Sequence, residues 1–130
     1  MKFHEDDRAQ RLIDLVEQMD GQINVSYVNS TGHVVAWHRH HIQTDYWVCL
    51  KGSFRVGLAF PKDDVCEVKW EYISDKNFRV LQIPPGVWHG YRALEPGSIM
   101  LYYLTRKYDV NDEEKVLPGH FSENWEVESR

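Results

Sequence analysis

Three histidines and one aspartate lie within eleven residues of this chain, in the stretch WHRHHIQTDYW at positions 37–47. Imidazole nitrogens and a carboxylate can bind a divalent metal ion, and a neutral imidazole can accept a proton from a carbon acid. Side chains alternate between the two faces of a strand. The alternation predicts one face with Ala36, His38 and His40 and the other with Val35, Trp37 and Arg39. Asp45 begins the next strand, whereas His41 points away from His40 and is interpreted as a surface residue.

The elements that must position these side chains are mostly strands. Residues 6–19, DDRAQRLIDLVEQM, have apolar residues at helical spacing, and we expect an N-terminal helix within residues 1–21. After it the period changes to two, in the runs INVSYV, HVVAWHRH, YWVCL, SFRVGLAF, CEVKWEYI, FRVLQI and SIMLYYLT. Seven short strands without intervening helices predict an all-β sandwich or barrel. We divide the single domain, 1–130, into helix 1–21, barrel 22–108 and acidic tail 109–130.

Charge and composition limit the classes of binding partner that this chain can have. The chain has 15 Lys and Arg against 20 Asp and Glu, and the surplus of acids lies in the tail from Asp109 onward. The sequence has no cluster of Lys and Arg that would bind a nucleic-acid backbone. It also has no basic amphipathic helix that would bind a membrane surface. The charged start and the absence of a long apolar run predict a cytoplasmic protein, where Cys49 and Cys66 would remain thiols.

Two spaced motifs resemble those of the cupins. Gly32, the His38-x-His40 pair, Asp45 and Gly52 have the spacing of the first cupin motif, with aspartate where glutamate is usual. PPGVWH resembles the second motif and ends at His89, although Phe78 and Ala93 replace its usual opening glycine and closing asparagine. The resemblance implies a single-domain jelly-roll β-barrel with an internal metal site.

The metal ligands that the resemblance implies are three nitrogens and one oxygen, from His38, His40, His89 and Asp45. Mixed nitrogen and oxygen ligands suit iron(II), manganese, nickel, cobalt or zinc. Burying such groups without partners would cost roughly 2 to 7 kcal/mol each, so they need a cation, water or mutual hydrogen bonds. The Asp45 side chain is one methylene shorter than that of glutamate, so whether its carboxylate binds the metal directly stays open. The alternative, a metal-free polar pocket, stays open, because His-x-His pairs are also common on ordinary strand surfaces.

A narrower resemblance begins at the second motif. IPPGVWHGYRAL followed by IMLYYLTRKYDVNDEE is similar to the corresponding stretch of dTDP-4-dehydrorhamnose 3,5-epimerases. The resemblance implies that His38 removes the proton alpha to a sugar ketone and that Tyr102 returns one from the other side. Val35 and Asp45 stand where that family has arginine and lysine, and nothing matches the aspartate that its later region provides to the histidine. A metal-bound His38 cannot also be a free base, so the metal and epimerase interpretations compete.

Four further side chains are candidate contacts for a small-molecule substrate, such as a nucleotide sugar. An inward indole from Trp47 or Trp88 could stack on a base or a sugar ring. Arg55 and Arg92 could bind a diphosphate. The alternative is that indoles fill or cover a small core and that strand arginines lie on solvated faces.

Three function classes remain open, and we favour the first. It is an epimerase or isomerase of a keto-deoxysugar, with His38 or His89 as the base, Tyr102 as the acid and a divalent metal ion in the barrel. The second is a metal-dependent oxygenase or another small-molecule enzyme that uses the three histidines and the aspartate. The third is a binding protein without catalysis. Because open sheet edges invite association, we expect a homodimer.

Overall fold

A computed structural model describes residues 1–16 and 19–126. Within them eleven β-strands alternate with short loops, and the only helical element is a 3₁₀ turn at Val110–Asp112. The strands are β1 Lys2–Glu5, β2 Gln10–Ile13, β3 Gln22–Val28, β4 Val34–His40, β5 Asp45–Lys51, β6 Ser53–Lys62, β7 Val65–Ser74, β8 Leu81–Ile83, β9 Trp88–Ala93, β10 Ser98–Leu104 and β11 Glu113–Lys115. No helix in these ranges has the length and apolar character needed to cross a bilayer.

Two antiparallel sheets form the body of the protein. A four-stranded sheet has the order β3-β10-β5-β8, and a five-stranded sheet has the order β11-β4-β9-β6-β7. All seven runs with a period of two coincide with strands of these sheets, so the predicted all-β jelly roll is confirmed. Strand β9 was not predicted, because HGYRA mixes glycine, aromatic and charged residues without a clear alternation.

The main core lies between the two sheets. In β6, Phe54, Val56 and Leu58 point into it and are almost completely buried, and Trp47 and Met100 reach it from the opposite sheet. Burial of such side chains contributes about 1.5 to 3 kcal/mol each. Because side chains alternate along each strand, the residues that do not point into this core lie on the other face of the five-stranded sheet. That outer face is covered by a different part of the chain.

The segment that follows β11 covers that outer face. Phe121 and Trp125 pack against Trp37, with ring centroids 5.2 and 5.3 Å apart. Strand β6 passes beneath them at Gly57, where an added Cβ would lie 2.7 Å from the Trp37 ring and 2.8 Å from the Trp125 ring. Since the contacts exclude any larger side chain, glycine at this position permits the aromatic layer.

The N-terminal helix is not seen. Strands β1 and β2 instead form a hairpin with the register Glu5↔Gln10 and Lys2↔Ile13. The Asp6 carboxylate accepts the backbone N–H groups of Arg8 and Ala9, and the Asp6 N–H donates to the Ala9 carbonyl. An aspartate can favour such a turn over a helical first turn because its side chain satisfies the same amides locally. Positions 17 and 18, near the end of the predicted helix, lie outside the described residues.

Candidate active site

A cavity of about 430 Å³ opens between the two sheets. Its walls come from β3, β4, β5, β9 and β10 and from the segment that leads into β11. The chemically active side chains in its wall are His38, His40, Asp45, His89, Tyr102 and Glu113. The structure thus brings both histidines of the first motif together with the histidine of the second.

Strand β4 does not alternate regularly on its way to the cavity. Its pairing with β9 shifts register between Val35 and His38. As a result Val35 lines the cavity with His38, whereas Ala36 packs in the outer aromatic layer. The expectation that Ala36 shares a face with His38 is therefore wrong, because a register shift resets the two-residue period.

His38 is held by a carboxylate from the C-terminal segment. Its Nδ1 lies 2.5 Å from Oε1 of Glu113, and the hydroxyl of Tyr108 donates to Oε2 of the same carboxylate over 2.7 Å. Burial alone would raise the pKa of Glu113, but hydrogen bonds from Tyr108 and His38 outweigh it and hold that pKa below its ordinary value. An ionised Glu113 favours the Nδ1–H tautomer of His38, so Nε2 carries the free lone pair.

His40, Asp45 and His89 form a second, deeper cluster. Nε2 of His89 lies 3.8 Å from Oδ2 of Asp45, and the rings of His40 and His89 stack with centroids 5.4 Å apart. Nδ1 of His89 lies 3.2 Å from the Val87 carbonyl and can donate to it. Burial lowers the pKa of His89 to about 4 against the opposing charge of Asp45. His89 is therefore a neutral imidazole at pH 7.

The second cluster has the donor atoms of a divalent-ion site. One ligand atom from each of its three residues lies within 4.8 Å of the others. Nδ1 of His40 is buried and has no hydrogen-bond partner among the described residues. Both Asp45 oxygens already accept hydrogen bonds, Oδ1 from Gln43 over 2.6 Å and Oδ2 from Trp47 over 3.1 Å. His38 does not belong to this cluster, so the site offers two nitrogens and one oxygen.

Tyr102 lies on β10 and lines the cavity. Its hydroxyl is 3.2 Å from Oγ of Ser26 on the edge strand β3. Tyr91 lines the same cavity, and burial, with the neighbouring Tyr102, raises its pKa above the ordinary tyrosine value. The phenol groups of this wall are potential proton donors.

Of the four predicted substrate contacts, only Trp47 lines the cavity. Trp88 lies on the outer face, where the guanidinium of Arg39 stacks 4.5 Å from its ring. Arg55 donates to the carbonyls of residues 124 and 126, and Arg92 donates to those of residues 31 and 125. Both arginines therefore anchor backbone on the outer face. No lysine or arginine of the described residues lines the cavity.

Sequence reasoning missed Glu113, Tyr108 and Gln43. The expectation that no later acid reaches the histidine is wrong, because β11 pairs with β4 and carries Glu113 of the acidic tail to His38. The available signal was the resemblance of LTRKYDVNDEE to the epimerases, which included both Tyr108 and Glu113. No sequence pattern pointed to Gln43, because a glutamine in a loop rarely indicates a buried contact with an aspartate.

An antiparallel jelly roll with a polar cavity between its sheets, lined by the histidines of both motifs, defines this protein as a cupin. A sequence model described as dTDP-4-dehydrorhamnose 3,5-epimerase matches residues 2–122. The chain belongs to that family, and it is therefore an enzyme of the sugar epimerase and isomerase type.

Three relatives show how far this similarity extends. The chain is 35% identical over 107 residues to the probable low-salt glycan biosynthesis epimerase Agl13 of Haloferax volcanii, covering 76% of this chain and 68% of that protein. It is 33% identical over 108 residues to the spore coat polysaccharide biosynthesis protein SpsL of Bacillus subtilis, covering 76% and 71%.

The third relative is a solved structure, dTDP-4-dehydrorhamnose 3,5-epimerase from Bacillus anthracis with TDP and PPi bound. It superposes with a TM-score of 0.81 at 23% identity, covering 98% of this chain and 83% of that one. At this identity, the superposition is evidence for the shared fold.

Proposed function

We propose that this protein epimerises or isomerises a nucleotide-linked keto-deoxysugar, with His38 as the base. The observation that carries the proposal is the His38–Glu113 pair in the cavity wall. A histidine whose Nδ1–H is held by an ionised carboxylate presents a basic Nε2, and the resulting imidazolium is stabilised by the same charge.

The proposed reaction needs two proton transfers and no change in oxidation state. Nε2 of His38 accepts the proton from the carbon next to the sugar ketone, and the electron pair of that C–H bond forms an enolate. Tyr102, on a strand of the opposite sheet, donates its phenolic proton to the same carbon from the other side. The configuration at that carbon is then inverted, and solvent exchange restores both groups.

The nucleotide part of the substrate is proposed from family membership and from the relative that was solved with TDP and PPi bound. Trp47 is the one predicted aromatic contact in the cavity wall. Arg55 and Arg92 take no part in the proposal, because their guanidinium groups are used on the outer face.

A divalent ion at His40, Asp45 and His89 is a second proposed component. The orphaned Nδ1 of His40 and the neutral imidazole of His89 support it, because both match the nitrogen donors that iron(II), manganese, nickel, cobalt and zinc accept. Such an ion would polarise the ketone oxygen and stabilise the enolate. His38 is not needed as a ligand, so the metal and base interpretations are compatible.

We also propose that the protein is a cytoplasmic homodimer. Ile23, Val25 and Tyr27 are 57%, 61% and 60% exposed and form an apolar stripe on the edge strand β3. An apolar stripe beside unpaired strand edges favours association with a second copy. Both cysteines are free thiols, which supports a reducing compartment.

Proton exchange in D₂O tests the proposed reaction. Wild-type protein, as purified, should incorporate deuterium next to the ketone of dTDP-4-keto-6-deoxyglucose, followed by NMR. His38→Gln should lower the exchange rate by about 10² to 10⁴ fold, and Tyr102→Phe should slow inversion. The exposed residues His33 and Tyr72 supply the matched controls His33→Gln and Tyr72→Phe. Absence of exchange, or full activity of His38→Gln, would contradict the proposal.

Elemental analysis tests the proposed metal. Protein purified without an affinity tag should contain near-stoichiometric metal, which His40→Ala should lose and the surface variant His41→Ala should keep. Empty wild-type protein that also fails to bind added iron, manganese, nickel and zinc would identify the cluster as a polar pocket. Metal-dependent oxygen consumption without proton exchange would favour the oxygenase, and ligand binding without turnover would favour a binding protein.

Sedimentation tests the proposed dimer. We expect the mass of two chains for the wild type and of one chain for Val25→Lys. The control is Val65→Lys, at a residue that is 68% exposed in the β6–β7 hairpin. A wild-type monomer at tens of micromolar would contradict the dimer.

A further inference from the structure

The Glu113 carboxylate is held by hydrogen bonds from two donors, His38 and Tyr108. Tyr108 takes no part in the proposed proton transfers. Its carboxylate accepts from His38 at Oε1 and from the Tyr108 hydroxyl at Oε2. The terminal torsion of a glutamate is broad, so a carboxylate held at one oxygen can rotate about it. With a donor at each oxygen, the plane of the carboxylate has a defined direction. The position of the His38 ring follows from that direction.

Tyr108 is itself anchored to the opposite sheet. Its backbone N–H donates to Oε1 of Gln22 on β3 over 3.0 Å. Tyr108 lines the cavity and is 53% exposed as a residue, so little packing depends on it. The hydroxyl stays protonated, because its hydrogen bond to Glu113 raises the pKa of Tyr108. Tyr108 therefore combines a fixed backbone, a donor hydroxyl and little contribution to the core.

We propose that Tyr108 is a positioning residue that acts on His38 through Glu113. Its hydroxyl holds the carboxylate in the orientation that keeps the proton on Nδ1 of His38 and leaves Nε2 free to accept the substrate proton. The inference rests on the proposed function for the identity of the base, but its effect on the imidazole does not require substrate.

The first test is spectroscopic and uses no substrate. In protein labelled with ¹⁵N-histidine, two-bond ¹H–¹⁵N spectra report which ring nitrogen of His38 is protonated, and His38→Gln assigns the signal. We expect the Nδ1–H tautomer in the wild type and in the control Tyr72→Phe. Tyr108→Phe should add a population of the other tautomer. An unchanged His38 spectrum in Tyr108→Phe would overturn the proposal.

The second test is a double-mutant cycle on deuterium exchange. Tyr108→Phe should lower kcat about 10-fold with KM unchanged, because a hydrogen bond to a charged group is lost. Glu113→Gln should lower kcat by about 10² or more, since an amide cannot accept from both donors. In the Glu113→Gln background, Tyr108→Phe should have almost no further effect, because a residue that acts through Glu113 loses its route.

The outcomes separate the two proposals. A raised KM with an unchanged kcat would make Tyr108 a direct substrate contact, and multiplicative effects of the two substitutions would mean that Tyr108 acts independently of Glu113. Either result would overturn its positioning role. A changed His38 tautomer in Tyr108→Phe, combined with no exchange by the wild type on any keto-sugar, would support the positioning role and contradict the proposed function.

Discussion

Asp112 holds the loop between β4 and β5, and its replacement by asparagine should destabilise the protein measurably. The side chain is buried, and its two oxygens accept the backbone N–H groups of His41, Ile42 and Gln43 over 3.0 to 3.3 Å. These three residues lie in the connection between His40 and Asp45. The carboxylate therefore fixes the segment that carries two members of the second cluster.

The magnitude follows from the number of donors. Asparagine keeps one acceptor oxygen and places an NH₂ group against the remaining backbone N–H, so at least one buried donor loses its partner. The cost is about 1 to 3 kcal/mol for that donor, and loss of the charge brings the total to about 2 to 4 kcal/mol. With an unfolding entropy of about 2.1 cal/mol/K per residue, the Tm of this 130-residue chain should fall by roughly 7 to 15 °C.

The effect should also depend on pH. Burial alone would raise the pKa of Asp112, but its backbone donors outweigh burial and hold that pKa below the usual value. A carboxyl group whose pKa is lowered by folding stabilises the protein above its unfolded pKa of about 3.9, and this contribution is lost as the pH falls through the folded pKa. The difference between wild type and Asp112→Asn should thus be largest at neutral pH and should shrink below about pH 4.

Urea denaturation at several pH values between 7 and 3 is the assay. The matched control is Asp64→Asn, in the exposed β6–β7 turn, which we expect to change the unfolding free energy by less than about 0.5 kcal/mol. A change of that small size in Asp112→Asn at pH 7, or a larger change that does not vary with pH, would refute the reasoning.

Three other predictions use the same purified protein. Gly90→Ala should lose about 1 to 3 kcal/mol of unfolding free energy in urea, because its Cβ would lie 2.5 Å from Cβ of Ala36; wild-type stability would contradict the close approach. Trp125→Ala should lose about 3 to 5 kcal/mol by uncovering the outer layer, and a loss under 1 kcal/mol would mean that the layer is dispensable. Burial raises the pKa of the Cys49 thiol to about 11, so a thiol reagent at pH 8 should modify the partly exposed Cys66 first; mass spectrometry of the labelled peptides checks the order.

Alternation and turn residues were sufficient for most of the fold. The sequence runs of β3 to β8 and β10 could be predicted as strands because one face of each strand packs on the core. This packing imposes a period of two on the apolar residues. The N-terminal segment was misread, since its apolar residues have helical spacing while Asp6 satisfies a tight turn locally. Among the described strands, β1 and β2 pair only with each other, so the local hydrogen bonds of the aspartate have a large share in the structure of this segment.

The sequence by itself determined the jelly roll, the family and the presence of His38, His40, Asp45 and His89 in one site, because their spacing is local or belongs to motifs. Only the tertiary structure decided how these residues divide. A register shift in β4 changes which neighbours face the cavity, and no residue pattern reports it. Glu113 lies 75 residues from His38 and reaches it through the pairing of β11 with β4. That contact distinguishes His38, which is hydrogen-bonded to a carboxylate from β11, from the His40–Asp45–His89 cluster. The chemical role of an imidazole depends on the charged group nearest to it, and only the tertiary structure brings these groups together.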